Sequence, residues 1–251
     1  MGNGSKKVVA IIQARMGSTR LPGKVLMEVD GVPLLEIMLS RIVKSELLDQ
    51  VVIATSTLPN DDKIIEFCQK KKFECFRGSE EDVLSRYFEC ANKYKADIVV
   101  RLTADCPLID PQIIDKVINH YLEKNVDYNA NTVPSEKSTF PDGSDVEVFS
   151  LDALERAYKE AKNPKDREHV TFYFWKYNHG FSTTQLSQES DWSKYRITVD
   201  YPEDLEVVEF IIKELKKRKS FGYLDEIISI INSNDEIKQK NSEYFFGIGW
   251  K

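Results

Sequence analysis

Apolar residues in the first half of the chain fall in short runs, and between the runs they recur at helical spacing. Val8-Val9-Ala10-Ile11-Ile12 is apolar throughout, which predicts a strand covered on both faces. Residues 51–54, 73–76 and 98–102 predict a second, third and fourth strand. Helical patterns lie between them at 33–46, 61–72 and 81–95, with another at 111–124. Strands that alternate with helices predict βαβ units and an α/β fold with a mainly parallel sheet. Pro33 and Pro111 stand where a first helical residue would, the latter directly after Asp110 as a helix cap.

Beyond residue 124 the pattern loosens. The stretch with Asn129-Ala130-Asn131-Thr132 and Phe140-Pro141-Asp142-Gly143 reads as an excursion from the core. A strand at 146–149 and a helix at 151–162 follow. Next comes an aromatic-rich helix containing Phe172, Tyr173, Phe174, Trp175 and Tyr177, opened by Glu168 and His169. Such aromatic density fits a core or a protein interface. A last strand is expected at 195–199, and the remainder is mostly helical. With no repeat, low-complexity segment or linker in 251 residues, the expectation is a single domain over 1–251. Its arm or dimerisation excursion would occupy 125–147 and 168–195.

The first strand runs into Gln13-Ala14-Arg15-Met16-Gly17-Ser18-Thr19-Arg20-Leu21-Pro22-Gly23-Lys24. A glycine-punctuated loop leaving a strand end is where α/β sheets bind phosphate, because backbone N–H groups converge there. Arg15, Arg20 and Lys24 add enough positive charge to meet a triphosphate, and arginine forks suit phosphate geometry. The loop is not a Walker A motif: five residues separate Gly17 from Gly23, and Val25 follows Lys24. It also lacks the Gly-x-Gly-x-x-Gly pattern of dinucleotide folds. The plainer alternative is a strand-to-helix turn with solvated charges.

At the end of the fourth strand stands Thr103-Ala104-Asp105-Cys106-Pro107. A carboxylate beyond a parallel strand's carboxyl end occupies the ligand crevice of such sheets. Beside a triphosphate loop, Asp105 is placed to hold Mg²⁺, which takes one or two carboxylates plus phosphate oxygens; otherwise it is a turn residue ahead of Pro107. Asp200 ends the later strand before Pro202-Glu203-Asp204. Periodicity alone makes it a helix cap, whereas pairing with Asp105 would complete a carboxylate site for Mg²⁺.

Composition narrows the classes. A net charge of −6 opposes a general nucleic-acid binder without opposing a local basic pocket. No apolar run approaches the ~18 residues of a membrane span. Met1 to Lys7 has no signal-peptide core, so a cytoplasmic location is expected. Cys68, Cys75, Cys90 and Cys106 have no Cys-x-x-Cys spacing, and the histidines have no zinc spacing, so free thiols in a reducing compartment are the expectation. Cys106 reads as a small buried apolar residue rather than a nucleophile.

Several segments together carry a family resemblance. They are the 12–24 loop, Thr103-Ala104-Asp105-Cys106-Pro107-Leu108, Pro141-Asp142-Gly143-Ser144-Asp145-Val146-Glu147, Arg167-Glu168-His169-Val170 and Val199-Asp200-Tyr201-Pro202-Glu203-Asp204-Leu205. Over residues 8 to about 215 the chain resembles the cytidylyltransferases that include CMP-Kdo synthetase and acylneuraminate cytidylyltransferase, and most of all the spore coat polysaccharide (SpsF) branch. The resemblance implies a Rossmann-like sheet of the glycosyltransferase-A type, CTP as donor, Mg²⁺ as cofactor, a sugar or sugar-phosphate acceptor and a homodimer. It implies that Gln13, Ala14, Arg15, Gly17, Ser18 and Lys24 hold the nucleotide, helped by Arg77, Ser79 and Thr103. Arg15, Lys24, Asp105 and Asp200 would be catalytic, Asp105 and Asp200 as the metal ligands. Asp145, Glu147, Arg167 and His169 would face the acceptor, although capping and packing explain His169 equally well. Thr103 stands where the Kdo and sialic branches carry Gln, so the resemblance does not name the sugar. Two other classes compete. A glycosyltransferase of this fold would usually carry Asp-x-Asp, which the sequence lacks; a non-catalytic module would bind CTP without releasing pyrophosphate.

Overall fold

A computed structural model describes residues 6–244, 246 and 247. The glycine-rich start, residues 2–5, lies outside them. Strand β1 (Val8–Gln13) leads through the basic loop to a small hairpin of β2 (Glu28–Val29) and β3 (Val32–Pro33), then to α1 (Leu34–Ile42). The chain continues as β4 (Gln50–Ser56), α2 (Asp62–Lys71), β5 (Glu74–Gly78), α3 (Val83–Lys93), β6 (Ile98–Thr103) and α4 (Pro111–Lys124). The second half adds β7 (Tyr128–Ala130), β8 (Glu147–Ser150), α5 (Leu151–Glu160), α6 (Pro164–His169), α7 (Phe172–Trp175) and β9 (Thr183–Gln185). Helices α8 (Pro202–Arg218), α9 (Leu224–Asn232) and α10 (Asp235–Lys240) follow.

Seven strands form one sheet in the order β5-β4-β1-β6-β8-β7-β9. Neighbours β5, β4, β1 and β6 are parallel, β8 is antiparallel to both β6 and β7, and β9 is parallel to β7. Alternation along β1 explains its unbroken apolar run. Val8, Ala10 and Ile12 pack with α1, α2, α4, α8 and α9 on one face, while Val9 and Ile11 pack with α3, α5 and α7 on the other. Helix starts follow their caps: Asp82, Asp110 and Ser150 accept from the backbone N–H of Ser85, Gln112 and Ala153.

Sheet order fixes where a ligand goes. From β1 the chain moves to β4 and β5 on one side, then crosses back to β6 on the other. The loops after β1 and β6 therefore part at a topological switch point, where the crevice of such a sheet opens.

Four expectations need correction. Residues 195–199 form no sheet strand; they run extended with a single parallel bridge, Asp142 to Arg196, because the backbone of Asp142 and Asp105 takes their hydrogen bonds. The aromatic helix is two short helices, α6 and α7, broken at Val170 by a φ of 57°; His169 therefore closes α6. Pro33 caps α1 rather than opening it. The 125–147 stretch, expected to leave the core, contributes β7, and Asn129, Asn131 and Thr132 there are fully buried. Likewise 168–195 contributes β9 to the sheet. All four cysteines are free thiols. Among the described residues no helix is long and apolar enough to cross a membrane.

Candidate active site

The loop after β1 is tied down at both ends. Ala14 donates its N–H to Ala54 O at 3.2 Å, and the carbonyl of Met16 accepts from Ser18 and Gly23, each at 3.0 Å. Gly23 has a φ of 74°, a left-handed turn that glycine adopts without strain. Asp61, buried at the start of α2, supplies the anchor that the sequence did not reveal. Its carboxylate accepts from Met16 N at 2.7 Å, Ser56 N at 3.1 Å and Ser56 Oγ at 2.5 Å. Burial opposes its charge, yet these donors hold the carboxyl below its ordinary range.

The turn at Gly23 sends Lys24 inward, where it is only 9% exposed. Its Nζ donates to Asp105 Oδ2 at 2.9 Å and to Asp200 Oδ1 at 2.8 Å. Arg20 reaches the same Asp200 oxygen at 2.9 Å. Asp105 comes from the end of β6, and Asp200 is brought beside it by backbone contacts. Val199 N donates to Asp105 O at 2.8 Å, and Thr198 Oγ1 donates to that carbonyl at 3.1 Å. Desolvation is the largest influence on Asp105 and pushes it up, but the charge of Lys24 together with hydrogen bonds from Thr103, Lys24 and the backbone outweighs it, and the carboxyl falls to about 2. The two carboxylates thus meet on the one ammonium of Lys24. Among the described residues no group of three or more His, Cys, Asp or Glu is placed to hold a metal by itself.

Two cavities open beside this centre. The larger, about 390 Å³, is lined by Gln13, Arg15, Ser18, Arg20, Lys24 and Asp105, with Thr103 at its edge. The smaller, about 240 Å³, shares Gln13, Thr103, Asp105 and Asp200 and extends to Asp145, Glu147, His169 and Arg196. Ala14 lies buried under the loop, and Gly17 borders Glu80. Arg15 donates to Glu80 at 2.9 Å, so its guanidinium points to the loop after β5. Arg77, near the end of β5, and Ser79, just after it, lie outside both cavities: Arg77 bonds Ser56 O, Leu58 O and Asp62, and Ser79 Oγ accepts from Asp82 N. Arg167 also stays outside. It is held by Asp82 at 2.6 Å and by the carbonyls of Tyr158 and Ala161, each at 3.0 Å.

The residues expected to face an acceptor are held by ion pairs and hydrogen bonds. Glu147 binds Arg101 and accepts from Tyr128 at 2.8 Å. Asp145 accepts from Thr132 Oγ1 at 2.7 Å and Gly143 N at 2.8 Å. Burial raises the Asp145 carboxyl to about 6 and lowers His169. Arg101, Asp142 and Arg196 were not anticipated as site residues. Arg101 had a visible signal: a cation inside the apolar run Val99-Val100-Arg101-Leu102 demands a buried partner.

A basic loop facing two carboxylates across the switch point of a mostly parallel sheet defines a nucleotide-handling α/β fold of the nucleotidyltransferase type. The chain belongs to the cytidylyltransferase family, whose model matches residues 9–242. It is 31% identical over 248 residues to the spore coat polysaccharide biosynthesis protein SpsF of Bacillus subtilis, covering 91% of this chain and 95% of that one. Over 114 residues it is 36% identical to the 3-deoxy-manno-octulosonate cytidylyltransferase of Geobacter metallireducens, covering 45% and 43% of the two chains. A solved cytidylyltransferase from Leptospira borgpetersenii superposes with a TM-score of 0.85 at 37% identity, covering 92% of this chain and 96% of that one.

Proposed function

We propose that the chain transfers CMP from CTP to an acidic sugar or sugar phosphate, with Mg²⁺ as cofactor and pyrophosphate as the second product. The observation that carries this reading is Lys24 Nζ bridging Asp105 and Asp200 where the two cavities meet. The larger cavity suits a triphosphate: Arg15, Arg20 and Lys24 line it beside Ser18. The smaller takes the acceptor, with Asp145, Glu147 and His169 along its wall. Relatives named for Kdo and for spore coat polysaccharide support a sugar in that place.

The donor set fits the metal. Asp105 Oδ2 and Asp200 Oδ1 are hard oxygens that meet on Lys24 Nζ; with that ammonium drawn to phosphate, two carboxylates would leave the remaining metal positions to phosphate and water. When bound, Mg²⁺ would supply Lewis-acid charge at the phosphates and acidify a bound hydroxyl. The acceptor oxygen attacks the α-phosphorus in line, a hydroxyl's proton passing to water; the bond to the β-phosphate oxygen breaks, and pyrophosphate leaves with the electron pair. Lys24 and Arg15 stabilise the charge that builds on the transferring and leaving phosphates. In taking up phosphate, Arg15 exchanges Glu80 for the ligand.

Pyrophosphate release with CTP, UTP, ATP and GTP against a panel of acidic sugars and sugar phosphates tests the proposal. Release is expected with CTP alone, and Asp105→Asn should cut it on the order of 10²-fold or more. Near-normal turnover by that variant contradicts the assignment.

A further inference from the structure

Asp200 meets Lys24 with only one of its two carboxylate oxygens. Oδ1 accepts from Lys24 and Arg20, while Oδ2 accepts from Arg196 at 3.1 Å. Arg196 is buried, and its guanidinium is divided among three carboxylates: Asp200, Asp142 on the acceptor side, and Asp204 in the first turn of α8. Asp204 is fully buried and accepts from Arg196 at 2.8 and 3.0 Å. It also accepts from the N–H groups of Asp200 and Tyr201 at 2.9 and 3.0 Å and from Asn241 Nδ2 at 2.8 Å. Asn241 donates to the carbonyl of Arg196 at 3.2 Å, so the C-terminal end of α10 closes the frame.

A planar guanidinium can satisfy three carboxylates at fixed angles, which an ammonium on a flexible stem does not. Here it takes Oδ2 of Asp200 out of play and turns Oδ1 toward the point shared with Asp105. We propose that Arg196 is a positioning residue: it fixes Asp200 as a metal ligand and, through Asp142, ties the acceptor-side turn to that ligand. The inference rests on reading Asp105 and Asp200 as the Mg²⁺ pair. Groups that orient metal ligands commonly govern affinity as strongly as this requires.

Mn²⁺ binding to the full chain with CTP, followed by electron paramagnetic resonance, tests it without any acceptor. Arg196→Lys keeps the charge and loses the fork; it should weaken Mn²⁺ about 10-fold or more. CTP turnover, once an acceptor is known, should fall in kcat more than it rises in KM. Asn241→Ala, which leaves Arg196 in place, should shift Mn²⁺ affinity in the same direction by less, and it decides the matter if Arg196→Lys does not fold. Unchanged Mn²⁺ affinity in the folded variants, even with activity lost, overturns the positioning role. Wild-type chain that takes up no Mn²⁺ with CTP instead overturns the metal reading beneath it.

Discussion

Lys24 stands between Asp105 and Asp200 because the left-handed turn at Gly23 aims it inward, and a buried ammonium is tolerated only where anions meet it. Asp145 has the opposite problem. Among the described residues it has neutral donors but no cationic partner, and burial lifts its carboxyl to about 6 from an ordinary 3.8. Between those values the folded chain binds a proton that the unfolded chain has released. The stability this group contributes is therefore full below the unfolded value and is lost as pH rises through about 6. Melting temperatures from pH 4 to 7 should accordingly fall less steeply in Asp145→Asn than in the wild type; identical slopes contradict the raised carboxyl. Arg15, Lys24 and Asp105 were legible in the sequence because their neighbours spell a loop and a strand end. Arg196 was not, since nothing local says that its partners are Asp142, 54 positions away, and Asp204.

At the scale of elements, the alternation of runs and helical patterns located β1, β4, β5, β6 and β8 to within two residues, because each is long enough to show its period. The three-residue strands β7 and β9 are too short for any periodicity, and the buried Asn129 of β7 imitates a loop residue. The 195–199 segment alternates like a strand, yet its partners are loop backbones; tertiary contacts override the pattern there. That junction depends on one glycine. Gly143 has a φ of 101°, and a Cβ on it would lie 2.3 Å from Thr198 N and 2.5 Å from Ile197 C. Gly143→Ala must push the 195–199 segment away from Asp142, costing roughly 2–4 kcal/mol through backbone strain and lost contacts. Urea unfolding should register that loss; a variant as stable as the wild type contradicts the junction's role in placing Asp200.

Over the whole molecule, an acidic chain of net charge −6 gathers Arg15, Arg20 and Lys24 around one cavity at the switch point of the sheet. Charge of that kind focuses an anionic ligand locally. The family and the α/β fold were legible from the motifs and their order along the chain; the smaller cavity was not, because it draws on β6, β8, α6 and the 195–200 segment, each contributing one to three side chains. The homodimer that the resemblance implies remains a proposal, and the stretches first assigned to it carry β7 and β9 inside the protomer's own sheet. The proposed function requires CTP to bind at Lys24. Calorimetric titration of the full chain with CTP and Mg²⁺, wild type beside Lys24→Met, measures this with no acceptor needed. A saturable CTP isotherm that weakens about 10-fold or more in Lys24→Met is the expected result, the scale for losing a charged hydrogen-bond partner. Equal CTP affinity in the two folded proteins would place the nucleotide elsewhere and contradict the account.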